Sequence, residues 1–372
     1  MDPRITKLAD LLVGYSCAVK EGDKLLVESN GFDALDLVHE ITHIAIRKGA
    51  HVFHNFRHDR LTRRFLHDAD EVQIRAQAKY DLYRMRDMSC YIGVRSGTNT
   101  MELGDVPSSQ LRLWSKYYVT PVHFKVRVPK TRWVVLRYPN DSMAQNAHKP
   151  LHVFEDFYYS VCTLDYARMS KAMDPLKALM DATDRVEIKA PGTDLTFSIQ
   201  GLKAIKCDGR LNIPDGECYT APVKNSINGT IRFNAAALFE GTVFDEINLR
   251  FKNGKVVEAK GGAQTEKLNA ILDRDGGSRY VGEFSLGFHP HVTEPMLDAL
   301  FDEKIAGSLH MALGSAYDDC FNGNRSSIHW DLVHIQRPEK GGGEIYFDGK
   351  LIRKDGVFVP RELHGLNPDR LK

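Results

Sequence analysis

The sequence predicts two domains of different architecture: an α/β N-terminal domain with a mainly parallel sheet over residues 1–180, and a β-rich α+β C-terminal domain over residues 181–372. Three observations lead to this prediction. The chain has 372 residues, which is long for a single hydrophobic core. Strand-like and helix-like segments alternate in the first half, as in parallel βαβ units. From about Arg185 onward, short extended segments are joined by hairpin-type turn dipeptides.

The first elements follow a strand–helix–strand pattern. The opening segment "MDPRITKLADLLVGYSC" is typical of an amphipathic helix, and "DKLLVES" of a short strand. Hydrophobic residues then recur at helical spacing up to Gly49, which is placed to end a helix, and "AHVFHNF" indicates the next strand. Elements of these lengths predict a parallel pair joined by a right-handed crossover.

The rest of the first half continues this alternation. A helix over about Ala69–Met88 leads into the strand "SCYIGVRSGTN". Extended segments are predicted near Tyr118–Val128 and Trp133–Arg137, followed by helical segments through Asp156–Asp181. The alternation ends there, and we place the domain boundary at that point.

The second half is rich in predicted hairpins. Pro-Gly, Asn-Gly or Asp-Gly turns lie between extended runs in three segments: "VEIKAPGTDLTFSIQG", "RFKNGKVVEAKGG" and "EIYFDGKLIRKDGVFV". One helix is predicted in "TEPMLDALFDE", with Thr293 as its N-cap and Pro295 in its first turn. The second half is therefore expected to be mainly β.

Composition and charge exclude several classes of function. Fifty basic residues against 49 acidic residues give a formal net charge of +1, which argues against a nucleic-acid binder or a membrane-surface protein. No run approaches the ~18 apolar residues of a membrane span, and the charges in the first helix argue against a signal peptide. The six cysteines form no Cys-x-x-Cys pair, which indicates reduced thiols. We therefore expect a cytoplasmic globular protein.

Several carboxylates and imidazoles of the second half stand among apolar neighbours. The six residues of this kind are Glu217, Glu283, Glu303, His310, His329 and Asp331. In "SSIHWDLVH", His329 and Asp331 are two residues apart, so on a strand both side chains point to the same face. Any one of these residues is more often a hydrogen-bonded core residue than a metal ligand.

Taken together, the six residues favour a metal site. A buried carboxylate is costly unless it is paired or bound to metal, and no Lys or Arg stands at alternating positions beside these carboxylates. Imidazole and carboxylate ligands suit Zn²⁺, Mn²⁺ or Co²⁺ without thiolates. The set exceeds the three or four protein ligands of one catalytic zinc. A pair of metals that share a bridging carboxylate is the better fit.

The same segments resemble a known family. In chain order, the matching motifs are "NIPDGECYTAP", "GEFSLG", "LFDEKIAGSLHMALGSAY" and "SSIHWDLV", with a weaker match upstream in "TRWVVLRYPNDSMAQ". They resemble the motifs of the thermophilic aminopeptidases, metallopeptidase family M29, and the likeness covers most of the chain. The resemblance implies a metal-dependent aminopeptidase with an α/β N-terminal domain and a metal-bearing C-terminal domain, which assembles as a homodimer.

The resemblance also assigns roles within the site. It implies that the six residues named above hold two divalent ions (Zn, Co, Mn or Mg), and that Glu283 bridges them. A water activated by both metals would attack the first peptide bond of a substrate with a free N-terminus. Tyr317 would lie beside the metals and stabilise the oxyanion, and Glu217 is one candidate for the general acid. Glu217, Glu283 and Tyr317 are thus the catalytic candidates.

Two alternative functions stay open at this stage. The same ligands could serve another two-metal hydrolase that acts on amides or phosphoesters, or a metal-binding protein without turnover. The sequence also departs from the founding members of the family, because the spacer between Glu303 and His310 is longer. The expected partners are peptides with a free N-terminus, and neither nucleic acid nor a membrane.

Overall fold

The computed structural model describes residues 2–99 and 101–372. It divides into two compact units: Met1–Thr163 with Gly209–Pro214, and Leu164–Asp208 with Asp215–Lys372. The strands are β1 Lys24–Asn30, β2 His51–Arg57, β3 Cys90–Arg95, β4 Arg132–Arg137, β5 Arg185–Ala190, β6 Thr193–Ser198, β7 Ile205–Cys207, β8 Asn212–Ile213, β9 Glu217–Thr220, β10 Asn228–Phe233, β11 Ala237–Phe239, β12 Thr242–Phe244, β13 Ile247–Lys252, β14 Lys255–Lys260, β15 Val281–Gly287, β16 Ser308–Gly314, β17 His329–Ile335, β18 Glu344–Phe347, β19 Lys350–Lys354 and β20 Val357–Phe358. The α-helices are α1 Pro3–Leu11, α2 Leu35–Arg47, α3 Asp59–Asp68, α4 Glu71–Arg86, α5 Ser108–Trp114, α6 Val128–Lys130, α7 Asp141–Asn146, α8 Leu151–Cys162, α9 Tyr166–Ala182, α10 Thr265–Leu272, α11 Ala299–Asp302 and α12 Pro368–Leu371. In the described residues, no helix has the length and apolar composition needed to span a bilayer.

The first unit is built on a parallel sheet. Strands β2, β1, β3, β4 and β8 lie side by side in that order, and every neighbouring pair runs parallel. Leu25, Leu26 and Val27 of β1 are all buried, as expected for a strand inside a parallel sheet that is covered on both faces. The predicted α/β N-terminal domain with a mainly parallel sheet is confirmed.

One element of the first unit differs from the prediction. The segment near Tyr118–Val128, which was expected to be extended, lies in π-helical turns over Ser115–Arg127. Tyr118, Val122 and Val126 recur every fourth residue, and they join a buried cluster with residues of α4. The prediction was wrong because β-branched and aromatic residues favour strands, whereas the four-residue spacing of the buried side chains is helical.

The second unit is β-rich, as predicted. It contains an eight-stranded sheet in the order β14-β13-β10-β6-β5-β18-β19-β20, and a five-stranded sheet in the order β17-β16-β15-β9-β7, which we call the site sheet. Three predicted hairpin turns have both central residues at positive φ: Asn253 and Gly254 at 50° and 80°, Asp348 and Gly349 at 47° and 76°, and Asp355 and Gly356 at 50° and 82°. Asn-Gly and Asp-Gly are the preferred dipeptides for that turn geometry.

The helix expected to begin at Thr293 is much shorter than predicted. Only Ala299–Asp302 is α-helical, and the side chain of Asp298, not of Thr293, caps it. Leu297 adopts a φ of +58°, and the backbone N–H of Met296 donates to Asp302 Oδ1 at 2.8 Å. The positive φ and this side-chain contact replace the helical turn that a Thr-Glu-Pro start favours.

The division into units also differs in detail from the predicted boundary at residue 180. Helix α9 lies in the second unit, although most of it precedes that boundary. Ser170 Oγ donates to Asp208 Oδ2 at 2.6 Å, and Lys206 Nζ donates to Asp174 Oδ1 at 2.6 Å. These contacts, and the burial of one face of α9, tie the helix to strands that follow it in the chain.

Candidate metal centre

The candidate residues meet on one face of the site sheet. Every neighbouring pair of strands in this sheet is antiparallel. The paired positions on that face are Glu217 with Gly287, Ser285 with His310, Glu283 with Ala312, Ala312 with Asp331, and Gly314 with His329. In four of these five pairs, a polar side chain lies opposite glycine or alanine. The small residues leave room between the donor atoms of their neighbours.

Glu283 lies between the two histidines. Its Oε1 atom is 3.3 Å from His310 Nε2, and its Oε2 atom is 3.2 Å from His329 Nε2. Each carboxylate oxygen thus faces a different imidazole. This is the arrangement that a carboxylate shared by two cations would need.

Asp331 approaches the same two imidazole nitrogens. Its Oδ1 atom is 3.4 Å from His329 Nε2 and 3.8 Å from His310 Nε2. The strand alternation predicted for His329 and Asp331 is therefore realised, because both point to the face that also holds His310.

Glu217 contacts the other side of His310. Its Oε2 atom lies 3.4 Å from His310 Nδ1 and accepts a hydrogen bond from Ser285 Oγ at 3.0 Å. Both Glu217 and His310 are buried. Ser285 was not among the predicted site residues, although its position two residues after Glu283 on a strand indicates the same face.

Glu303 reaches the site from the C-terminal end of α11. It forms a group with His310 and Asp331, in which one possible ligand atom from each residue lies within 4.8 Å of the others. Its Oε1 atom contacts the ammonium of the next residue, Lys304.

Lys304 contradicts one expectation drawn from the sequence. Its side chain is only 1 % exposed, and Nζ lies 3.1 Å from Glu217 Oε1 and 3.9 Å from Asp215 Oδ1. The expectation that no Lys or Arg neutralises these carboxylates was therefore wrong. It considered only alternating strand positions, whereas Lys304 enters from the segment before β16. A lysine followed directly by the apolar residues of "KIAGSLHMALG" is the signal that could have identified it.

Neighbouring charges favour the ionised forms of Glu283, Asp331 and Lys304. Burial alone would raise the pKa of Glu283, but the neighbouring imidazoles of His310 and His329 lower it. For Asp331, burial is likewise outweighed by the charge of His329, and the pKa is lowered. Burial would lower the pKa of Lys304, but the carboxylates of Glu217 and Asp215 raise it, so the amine is charged.

The residues present fit a metal centre. Among the residues that the structure describes, three buried atoms at the centre of the cluster have no hydrogen-bond partner: His310 Nδ1, His329 Nε2 and Asp331 Oδ1. In the described residues, the groups whose ligand atoms lie within 4.8 Å of one another are Glu217–Glu283–His310, Glu283–His329–Asp331, Glu303–His310–Asp331 and Cys207–Asp215–Glu217. Buried carboxylate oxygens and imidazole nitrogens, arranged in overlapping groups, have the chemistry of ligands for divalent cations.

Tyr317 lies at the edge of this cluster. Its ring centroid is 4.6 Å from that of His329 and 5.6 Å from that of Tyr219, and 48 % of its surface is exposed. Partial desolvation, followed by the charge of Glu283, raises the pKa of the phenol. Tyr317 is therefore protonated at neutral pH and able to donate a hydrogen bond.

Comparison with known proteins agrees with this picture. A family model described as "Thermophilic metalloprotease (M29)" matches residues 1–351. Aminopeptidase 2 of Geobacillus stearothermophilus is 26% identical, and Aminopeptidase T of Thermus aquaticus is 25% identical; each alignment covers 96% of this chain and 96% of the relative. The solved structure of wild-type AmpT from Thermus thermophilus superposes with a TM-score of 0.78 at 22% identity, over 96% of this chain and 99% of that one. The two proteins share their fold.

Proposed function

The chain belongs to the thermophilic metalloprotease (M29) family and is a metal-dependent hydrolase, and we propose that it is an aminopeptidase that releases N-terminal residues from peptides at a dinuclear metal centre. Full-length relatives named as aminopeptidases support the proposed substrate class. The residues that would hold the two metals are Glu217, Glu283, Glu303, His310, His329 and Asp331.

The position of Glu283 is the observation that carries the dinuclear proposal. Its two oxygens face two different imidazole nitrogens, at 3.3 Å and 3.2 Å. A carboxylate shared by two cations would present one oxygen to each of them, whereas a single cation would be held by both imidazoles and one carboxylate oxygen. Two-metal hydrolases use such a shared ligand to hold their ions about 3.5–4 Å apart.

The balance of charge also supports two divalent ions. Five carboxylates converge on the cluster, those of Asp215, Glu217, Glu283, Glu303 and Asp331. They carry five formal negative charges, and Lys304 with two divalent cations would carry five positive ones. With a single divalent cation, protonated histidines would have to supply the remaining positive charge, and a protonated imidazole has no lone pair with which to bind metal.

The residues of the chain would then act on a bound peptide as follows. Bound divalent cations act as Lewis acids and lower the pKa of a coordinated water from 15.7 toward about 7. A free α-amino group of the substrate, in its neutral form, would be able to occupy a ligand position at the metal centre, which would account for action on N-terminal residues. The Tyr317 phenol would donate a hydrogen bond to the oxyanion that forms at the scissile carbonyl, and its ring contact with His329 supports this role. Glu217, which faces His310 Nδ1, is one candidate to deliver a proton to the leaving amine.

The proposal is tested on the full-length protein with Leu- and Phe-p-nitroanilide as substrates. We expect hydrolysis that stops after treatment with EDTA and returns with Zn²⁺, Co²⁺, Mn²⁺ or Mg²⁺, and a metal content near two ions per chain. Glu283→Gln should be folded and inactive. Full activity in the chelated protein or in Glu283→Gln would contradict the proposal.

The same experiment separates the alternative functions. A phosphoester, p-nitrophenyl phosphate, is assayed beside the anilides. Turnover of the phosphoester alone would indicate a different two-metal hydrolase, and bound metal without turnover of either substrate would indicate a metal-binding protein.

We also propose that the enzyme acts as a homodimer in the cytoplasm. The family resemblance supports the assembly, and six free cysteines with no disulfide among them in the described residues support a reducing compartment. Light scattering of the purified protein tests the assembly, because a monomer at assay concentration would contradict it.

A further inference from the structure

Lys304 is a cation that the carboxylates of the candidate centre already share. Its ammonium contacts Glu303 Oε1 and lies 3.1 Å from Glu217 Oε1. Both carboxylates also belong to groups that could hold a metal ion. The ammonium and a divalent cation would therefore draw on oxygens of the same two side chains.

The contacts of Lys304 fall on one side of the centre. It pairs with Glu217, Glu303 and, at 3.9 Å, Asp215. In the described residues it forms no ion pair with Glu283 or Asp331. The group Glu283–His329–Asp331 therefore has two carboxylates that no ammonium touches, whereas the carboxylates on the Glu217 and Glu303 side face a fixed positive charge.

The backbone holds Lys304 in this place. Its N–H donates to the carbonyl of Phe301 at 3.0 Å, and its carbonyl accepts from the N–H of His289 at 2.9 Å. With both backbone groups bonded and the side chain buried, the ammonium has little freedom to move away when a metal ion enters.

We propose that Lys304 makes the two metal positions unequal, so that the Glu283–His329–Asp331 position binds its ion tightly and the position that draws on Glu217 or Glu303 together with His310 binds its ion weakly. This inference rests on the proposed dinuclear function. Lys304 weakens the second position for two reasons. Its ammonium donates hydrogen bonds to oxygens of Glu217 and Glu303, so these oxygens have less electron density to offer a metal ion. Its positive charge also repels the incoming cation.

In the protein that lacks its second ion, Lys304 stabilises the folded unit. Buried carboxylates without a partner are strongly destabilising. Because Lys304 neutralises part of their charge, the unit can stay folded while the weak position is empty. The occupancy of the weak position, and with it the activity, would then follow the concentration of free metal.

The test measures metal binding directly. Full-length protein is stripped with EDTA and titrated with Zn²⁺ by isothermal titration calorimetry. Wild type should show two dissociation constants. In Lys304→Met, the dissociation constant of the weaker site should fall by about tenfold, which means tighter binding by about 1.4 kcal/mol. The dissociation constant of the tighter site should stay unchanged. Lys304→Arg retains the charge and should keep the weak constant of wild type.

A matched control removes another lysine of the same unit. Lys206 pairs with Asp174, outside the candidate centre, so Lys206→Met should leave both constants unchanged. If stripped Lys304→Met does not stay folded, a second measurement avoids the metal-free state. A chelating dye removes the ions from the loaded proteins, and Lys304→Met should release its weaker ion about tenfold more slowly than wild type.

Each outcome is decisive. Unchanged or weaker binding of the second ion in Lys304→Met overturns the role of Lys304, and so does an equal effect in Lys206→Met; neither result touches the proposed function. Failure of the wild type to bind any divalent metal would instead overturn the proposed function itself.

Discussion

The Nδ1 atom of His329 lies 2.8 Å from the carbonyl oxygen of Ser315. Since a carbonyl only accepts, Nδ1 carries a proton and donates it. In the neutral ring, this leaves the lone pair on Nε2, which lies 3.2 Å from Glu283 Oε2. A backbone group thus orients a proposed ligand and selects its tautomer, as is common for histidines that bind metal.

This relationship leads to a prediction for His329. We expect His329→Ala to bind less than the wild-type amount of metal and to lose at least about 100-fold in kcat/KM, because it removes a ligand that Ser315 positions. Metal analysis and the anilide assay measure both effects. His334→Asn, on the same strand, is the control and should retain metal and activity. Wild-type metal content in His329→Ala would exclude His329 as a ligand.

Tyr317 is predicted to act on the transition state and not on the metals. Tyr317→Phe removes the hydroxyl that is proposed to donate to the oxyanion, and loss of one such donor lowers kcat by about 10²–10³-fold. KM and metal content should change little. The matched control is Tyr219→Phe, whose ring neighbours that of Tyr317. Equal kcat values for Tyr317→Phe and wild type would rule out this role.

Gly314 is predicted to be required for the position of His329. The two residues are paired across β16 and β17, and Gly314 has a φ of +105°. A Cβ at this position would overlap the carbonyl oxygen of Ile328. We therefore expect Gly314→Ala to lose at least about 2 kcal/mol of unfolding free energy and to bind metal more weakly.

A second glycine distinguishes the cost of a positive φ from the cost of steric overlap by the added Cβ. Gly201 has a φ of +78°, but a Cβ there would meet no atom within 4 Å. Gly201→Ala should cost only about 1–2 kcal/mol and leave metal binding intact. Urea unfolding and metal titration measure these effects, and equal losses in both variants would contradict the argument.

The stability of the protein is predicted to fall in mild acid because of His334. Burial lowers the pKa of this histidine to about 4, and its Nδ1 donates to the carbonyl of Arg232 at 2.6 Å. The unfolded chain, with a histidine pKa of about 6.5, binds the proton more readily. The stabilisation is therefore present above pH 6.5 and is lost between about pH 6.5 and pH 4, by roughly 3 kcal/mol for this group.

A variant isolates that contribution. His334→Asn keeps a side-chain N–H that could donate to Arg232 but does not titrate. Thermal unfolding of metal-free protein at pH 7, 6, 5 and 4 should show a shallower loss for the variant than for the wild type. Parallel curves would show that His334 does not cause the acid sensitivity.

Local patterns predicted much of the fold. Alternating strands and helices identified the parallel sheet of the first unit, and the Asn-Gly and Asp-Gly dipeptides located hairpins that the structure contains. The prediction failed where local preference and packing disagree. Tyr118–Val128 has the composition of a strand, but its buried residues pack at helical spacing against α4.

The candidate site was predictable in its chemistry and less so in its detail. The spacing of His329 and Asp331 placed both on one face of a strand, and the family resemblance expected from the motifs is confirmed by the match over residues 1–351. Lys304 was missed, because its partners Glu217 and Asp215 lie far from it in the chain.

The sequence alone determined that His329 and Asp331 share one face of their strand, because side chains alternate with a period of two along a regular strand. Only the tertiary structure decided that Glu283 faces both His310 and His329, and that Lys304 reaches the same carboxylates. Register between strands distant in the chain depends on the packing of the whole sheet, and a buried charge persists only where opposite charges from other segments compensate it. Those conditions are properties of the folded unit and not of any one segment.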